Sequence, residues 1–264
     1  YKMSNYIEIK ITNKSLKNDR LILLNPLGSS YYIWANLIEK YKSSFEIVLL
    51  NYPGYGNTEF FDFKTIECLS DEVFKKINVL PKKRTHLIGY SFGGWIAQQL
   101  IVRNEYNCNS LILISASNHI YPKGKKMIEG WLKNYSSLGI KFIMEQIALW
   151  SFNNSTFESN TNLIEDFYYA SKKSFSDNNV LINQLNLSMS YINTLDCSNI
   201  NIPVLLIRGE YDDFFPYYST KKLKRMLKTS KIIIVPNTGH SVLIEKPEFV
   251  SSEILSFVEK LNYE

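Results

Sequence analysis

The stretch His86-Leu87-Ile88-Gly89-Tyr90-Ser91-Phe92-Gly93-Gly94 decides how the chain is read. His86 to Tyr90 is a short apolar run of strand length. From Phe92 onward, Trp95, Ile96, Leu100 and Ile101 recur at helical spacing. Ser91 stands at the corner between them, with Gly89 and Gly93 two residues to either side, the G-x-S-x-G pattern. A strand that turns this sharply into a helix strains its corner residue and brings strand and helix close together. Glycine leaves room for that approach, where a Cβ at either flank would clash. The corner then holds a hydroxyl above the sheet edge at a helix N-terminus, where the Phe92 N–H faces a developing negative charge. The pattern is short enough to arise by chance. Its weight depends on whether the rest of the chain supplies an acid and a base.

Working outward, Tyr6 to Thr12 alternates and reads as an edge strand, and Lys14 to Arg20 reads as a polar turn. Leu21 to Asn25 is a short apolar strand, followed by the loop Pro26-Leu27-Gly28-Ser29-Ser30 and a helix with Trp34, Leu37, Ile38 and Tyr41 on one face. Glu46 to Leu50 is the next strand, and it ends in the turn-rich run Asn51-Tyr52-Pro53-Gly54-Tyr55-Gly56. A helix over Thr65 to Val79, the serine strand with its helix, and a strand over Leu111 to Ser115 follow. Continuously apolar strands that alternate with helices predict an α/β fold, a mostly parallel sheet covered on both faces. Ligands of such sheets bind beyond the C-terminal ends of the strands.

The rhythm breaks after Ser117. Residues 118–197 carry no clear strand but show helical patches, Met127 to Tyr135, Phe142 to Phe152 and Leu163 to Tyr168, with a polar loop at Asn153 to Asn162. We read this as a helical lid inserted into a core made of residues 1–117 and 198–264. The sheet resumes at Ile202 to Gly209. A helix over Ser219 to Leu227, a strand over Lys231 to Pro236 and a helix over Pro247 to Leu261 complete it.

With 45% hydrophobic and 14% aromatic residues, the 264-residue chain can bury a large core, which excludes disorder. No apolar run approaches the roughly 20 residues that span a bilayer. The N-terminal stretch lacks the apolar core of a signal peptide. Cys68, Cys108 and Cys197 are odd in number and scattered, which suits a reducing compartment, so a cytoplasmic location is expected. The net charge is +5, with lysines densest at Lys82 to Arg84, Lys123 to Lys126 and Lys221 to Lys228. These stretches read either as solvated surface or as a dock for an acidic partner such as a carrier protein. No nucleic-acid motif is present.

A serine hydroxyl needs a base in hydrogen-bond reach, and the base needs an orienting partner. The chain has three histidines. His86 starts the serine strand and reads as structural. His119 sits where the insertion begins and is a candidate pocket residue. His240, in Asn237-Thr238-Gly239-His240-Ser241, follows a strand and so shares the C-terminal sheet edge with Ser91. The loop Glu210-Tyr211-Asp212-Asp213-Phe214-Phe215 offers the acid at the same edge; Asp212 is assigned, with Asp213 its neighbour. The order Ser91, Asp212, His240 is that of the α/β-hydrolase fold.

With Gly89-Tyr90-Ser91-Phe92-Gly93-Gly94, Gly209-Glu210-Tyr211-Asp212, Gly239-His240-Ser241, Glu245-Lys246-Pro247 and Pro53-Gly54-Tyr55-Gly56 in place, the chain resembles the α/β-hydrolase superfamily over nearly its whole length. Many members carry a His-Gly pair after the first core strand, and the residue that follows lends an N–H to the oxyanion hole. Here the pair is Asn25-Pro26, and the resemblance assigns that N–H to Leu27; Pro26 has none to give. Asn25 to Ser29 is similar to the loop of enol-lactone hydrolases and, less closely, to that of biosynthetic thioesterases. Members with Asp or Glu nucleophiles include dehalogenases and epoxide hydrolases, which Ser91 argues against.

The expected activity is acyl transfer to water by Ser91, Asp212 and His240, with Leu27 and Phe92 as oxyanion donors and no metal or organic cofactor. The substrate is an ester, lactone or thioester of a small apolar or aromatic acyl group. Tyr90, His119, Trp131, Trp150 and Phe214 are the candidate pocket residues. Three alternatives stay open: a thioesterase that depends on a carrier protein, a cofactor-independent lyase or cyclase using the same groups, and a ligand receptor.

Overall fold

Alternation within the strands builds the layers. In the computed structural model, which describes residues 6–12, 19–175, 177–191 and 195–261, seven strands form one sheet in the order β1-β3-β2-β4-β5-β6-β7. They are β1 (Glu8–Thr12), β2 (Asp19–Leu24), β3 (Glu46–Asn51), β4 (Arg84–Tyr90), β5 (Ser110–Ile114), β6 (Val204–Gly209) and β7 (Ser230–Val235). Every pairing is parallel except β1 with β3. Successive side chains leave opposite faces of a strand. Ile22, Leu24, Leu87 and Leu113 enter one apolar layer, while Leu21, Leu23, Ile88 and Ile112 enter the other. The first layer is covered by α2 (Ile66–Ile77) and α3 (Phe92–Val102), through Leu69, Val73, Ile96 and Leu100. The second is covered by α1 (Ala35–Tyr41) and α10 (Pro247–Lys260), through Leu37, Tyr41, Ile254 and Val258.

The strand order positions the site. The chain runs from β2 outward to β3, then returns across β2 to β4 and continues the other way to β5. The connections leaving β2 and β4 therefore diverge from adjacent strands and open a crevice at their C-terminal ends. Leu27 follows β2 and Ser91 follows β4, so the order of strands alone sets them across one gap.

Between β5 and β6 the chain forms α4 (Pro122–Ser151), α5 (Asn154–Ser159), α6 (Leu163–Lys172) and α7 (Asn179–Ser190). Gly139, at φ 74° and ψ −178°, interrupts α4 and splits the two apolar patches expected there onto two helical arms. α8 (Tyr217–Met226) follows β6, and α9 (Val242–Glu245) lies between β7 and α10.

Two expectations change. The polar stretch Asn153 to Asn162 holds α5 instead of being all loop. None of its residues is buried, so it shows no apolar periodicity; Thr156 Oγ1 instead donates to Glu245 Oε1 at 2.6 Å. Asp19 and Arg20 belong to β2 instead of a turn, and the rest of that expected turn, residues 14–18, lies outside the described residues. Arg20 is buried because Glu46 of the neighbouring strand meets it at 2.6 Å, a partner that no local pattern reveals.

His86 is fully buried within β4, with Nδ1 2.8 Å from Ser110 Oγ. Burial pulls its pKa from 6.5 down to about 4. The unfolded chain therefore binds a proton below pH 6.5 that the folded chain refuses until about pH 4. Stability is expected to fall as pH drops through that window, by about 3 kcal/mol at 1.36 kcal/mol per pH unit. Denaturant melts of the parent and a His86→Gln variant between pH 7 and pH 4 test this. The variant should lose most of that slope, and equal slopes would contradict it.

Candidate functional site

The elbow is built by backbone proximity. Ser91 sits at φ 49° and ψ −112° at the N-cap of α3, and its N–H donates to the Ile114 carbonyl at 2.8 Å. A Cβ on Gly89 would lie 2.6 Å from the Gly93 carbonyl oxygen, and one on Gly93 would lie 2.1 Å from the Leu24 carbonyl oxygen. Both are backbone atoms that cannot rotate away. The strain at Ser91 is thus held by β2, β4 and β5 together.

Asp212 and His240 arrive on loops that follow β6 and β7. At Gly209 a Cβ would meet the Gly239 carbonyl oxygen at 1.8 Å, so the two loops lie against each other. Buried Arg208 donates from Nη2 to the carbonyls of Asp212 (3.3 Å) and Phe215 (3.2 Å) and folds the acid loop around itself. Asp212 Oδ1 accepts from the N–H groups of Phe214 (3.0 Å) and Phe215 (3.1 Å), which fixes the carboxylate. His240 Nδ1 lies 3.0 Å from both carboxylate oxygens, and Nε2 lies 2.9 Å from Ser91 Oγ. Asp213, one residue on, is exposed. The His240 carbonyl accepts from Tyr90 OH at 3.2 Å and Ser115 Oγ at 2.9 Å, so the last residue of β4 and the residue that follows β5 hold the histidine's backbone. An imidazole bridging a buried carboxylate and a hydroxyl can take the hydroxyl proton while the carboxylate stabilises the resulting cation.

Ser91 and His240 line a cleft. Its walls come from Pro26, Leu27, Phe92 and Trp95 on the core side, and from Met127, Ile128, Trp131, Ile147, Phe167 and Leu185 of the helices between β5 and β6. None of the lining residues is Asp, Glu, Lys or Arg. Among the described residues, no group of three or more His, Cys, Asp or Glu is placed to hold a metal ion. No helix of the described residues is long and apolar enough to cross a membrane.

The model of a family described as the alpha/beta hydrolase fold matches residues 19–247. The chain belongs to the α/β-hydrolase family. Among its relatives, the pimeloyl-(acyl-carrier protein) methyl ester esterase of Proteus mirabilis (strain HI4320) is 22% identical over 252 residues, covering 92% of this chain and 93% of that one. The enol-lactonase from Burkholderia xenovorans LB400 superposes with a TM-score of 0.83 at 17% identity, over 96% of each chain. A thermophilic esterase from Thermogutta terrifontis does so with a TM-score of 0.79 at 20% identity, over 97% of this chain and 93% of that one. At such identities the structures speak for the fold.

Within this α/β-hydrolase, Tyr90, Trp131 and Phe214 line the cleft, whereas His119 and Trp150 are placed elsewhere. His119 stacks on Tyr121, with ring centroids 4.0 Å apart, and its Nδ1 lies 3.0 Å from Asn118 Oδ1. Trp150 lies under the Lys123 ammonium at 4.4 Å, while its helix neighbours Ile147 and Ser151 take the cleft side. The reason is rotation: three residues carry a helix 60° short of a full turn, so Trp150 falls on the flank. Met127, Ile128, Phe167, Leu185 and Phe215 line the cleft without having been singled out. In the sequence they look like any other core residues, because a cleft wall and a core share one chemistry.

The loop after β2 has an anchor that no motif marks. Gly28, at φ 75°, donates its N–H to Gln184 Oε1 of α7 at 2.8 Å, and the same oxygen accepts from Tyr55 OH at 2.8 Å. The residue beside it is Leu27, which lines the cleft, as Phe92 does.

Proposed function

We propose that the chain is a serine hydrolase that cleaves a carboxylic ester, lactone or thioester of a small, uncharged apolar or aromatic acyl group through an acyl-enzyme. The observation that carries this reading is the 2.9 Å contact of Ser91 Oγ with His240 Nε2, backed by Asp212, at the floor of a cleft without charged walls.

As Ser91 Oγ bonds to the substrate carbonyl carbon, His240 Nε2 takes its proton. Asp212 accepts from Nδ1–H and stabilises the imidazolium. The N–H groups of Phe92, at the first turn of α3, and Leu27 donate to the carbonyl oxygen as it becomes an anion, each worth about 3 kcal/mol to the transition state. His240 passes the proton to the leaving oxygen or sulfur, the acyl bond to it breaks, and water repeats the cycle from the acyl-enzyme. In this reading residues 118–197 act as a lid whose helices set acyl size, over a core of residues 1–117 and 198–264. Ester cleavage is also what the Proteus mirabilis relative's name states for that protein.

A fluorophosphonate probe together with p-nitrophenyl ester turnover tests the reading. Labelling with many turnovers supports it. Labelling with no turnover on any acyl substrate would favour the lyase or the receptor, and absence of labelling would refute the Ser91 assignment.

The apolar walls add a sharper expectation. A carboxylate at the far end of the acyl chain would lose its hydration with no cation to meet it. The kcat/KM for p-nitrophenyl hexanoate should exceed that for mono-p-nitrophenyl adipate by about tenfold or more. Parity would mean that the acyl end reaches solvent.

A further inference from the structure

Two lysine-rich stretches that lie far apart in the sequence meet on one face. Tyr121, just before α4, and Tyr218, in the first turn of α8, pack edge to face with centroids 5.1 Å apart. On one side of this contact stand Lys123, Lys125 and Lys126; on the other stand Lys221, Lys222, Lys224 and Arg225. Ser219, Thr220 and Leu223 take the buried side of α8, which leaves its four cations exposed. No Asp or Glu occurs between residues 106 and 128 or between residues 214 and 244. Glu129, which follows the first run, pairs with Lys126 at 2.8 Å. His119 sits beneath the junction, and burial, then the charge of Lys222, lower its pKa.

This face adjoins the mouth of the cleft. Gly124 and Met127 line the cleft, while Lys123 and Lys126 of the same turns are exposed. Phe214 and Phe215, just before α8, line it as well. The third basic stretch is engaged differently. Lys83 meets Glu46 at 2.7 Å and Arg84 donates to the Leu261 carbonyl, at the N-terminal end of β4, away from the cleft. Apart from Lys126, which Glu129 engages, the charges of Lys123, Lys125 and the four cations of α8 are thus concentrated beside the opening.

We propose that this face docks an acidic carrier protein that presents its acyl thioester to Ser91, an inference that rests on the hydrolase reading above. A protein fits better than a small anion because the ten residues of α8 alone extend the face by about 15 Å. Tyr217 and Tyr218, both exposed, supply the aromatic contacts that interfaces favour. Once docked, Ser91 Oγ bonds to the acyl carbon, the carbon–sulfur bond breaks, and the carrier's sulfur leaves with the proton held by His240. Water then releases the acid and restores Ser91.

The test uses the full chain and an octanoyl-loaded acidic acyl carrier protein, with octanoyl-N-acetylcysteamine and p-nitrophenyl octanoate as free substrates. The parent should cleave the carrier-bound thioester with a kcat/KM at least about tenfold above that of the free thioester, and the advantage should shrink as salt rises. A K221E/K224E/R225E variant should lose that advantage and keep p-nitrophenyl ester turnover. Binding of fluorescently labelled carrier to Ser91→Ala should follow the same pattern, which separates docking from chemistry. Equal kcat/KM for the two thioesters, salt-independent rates, or a variant that loses both activities equally would overturn the proposal. So would stronger binding to anionic phospholipid vesicles than to the carrier. If no ester is turned over but the carrier still binds, the hydrolase reading fails and the docking face stands.

Discussion

Replacing Ser91 with alanine is expected to lower kcat on any accepted ester by about 10⁴- to 10⁶-fold and to abolish fluorophosphonate labelling, with the fold unchanged. The size of the effect follows from geometry. His240 Nε2 has the Ser91 hydroxyl at 2.9 Å, and removing it leaves the base with nothing to deprotonate. Alanine is strained at φ 49° much as serine is, so the melting temperature should barely move. Glycine relieves the strain, and a Ser91→Gly variant should be equally inactive yet more stable by about 1 kcal/mol. Matched kinetics and thermal melts of the three proteins decide the matter. Residual turnover of a few per cent in either variant would place the nucleophile elsewhere.

The second large effect concerns folding. Gly93→Ala would put a Cβ 2.1 Å from the Leu24 carbonyl oxygen. That oxygen belongs to the end of β2, whose N–H and C=O groups are tied to β3 and β4, so it cannot retreat without parting the sheet. A loss of more than about 4 kcal/mol is expected, enough to leave little folded protein. Gly130→Ala is the control, since nothing lies within 4 Å of its added carbon. If the Gly93 variant melts within a few degrees of the parent, helix and strand are less tightly apposed than described. A milder outcome is also informative. The displaced Leu24–Asn25 backbone leads directly into the loop that carries Leu27, so a Gly93 variant that survives should still lose kcat.

Much of the site is legible in the sequence because close backbone approach is unforgiving. Gly89 and Gly93 around Ser91, Gly209 at the end of β6 before Asp212, and Gly239 beside His240 stand where a Cβ has no room. Such positions mark themselves in the letters. The parallel core is legible for a related reason: strands buried on both faces must be apolar along their middles, as Ile47 to Leu50 of β3 and Leu111 to Ile114 of β5 are. Arg20 shows the limit of that rule, since a charged residue joins β2 once Glu46 neutralises it from the next strand.

What the tertiary structure alone decided depends on distant partners. The letters cannot tell that Ile147 faces the cleft while Trp150 turns away to Lys123, because both satisfy the same helical period. They cannot tell that His119 stacks on Tyr121 outside the cleft, or that Gln184 holds the Gly28 loop. Nor can they join the basic runs of α4 and α8, whose meeting at Tyr121 and Tyr218 is a matter of packing. Local steric demands write themselves into neighbouring residues. A cleft wall, a loop anchor or a charged face is made by residues far apart in the chain, each ordinary where it stands, and only the folded arrangement brings them together.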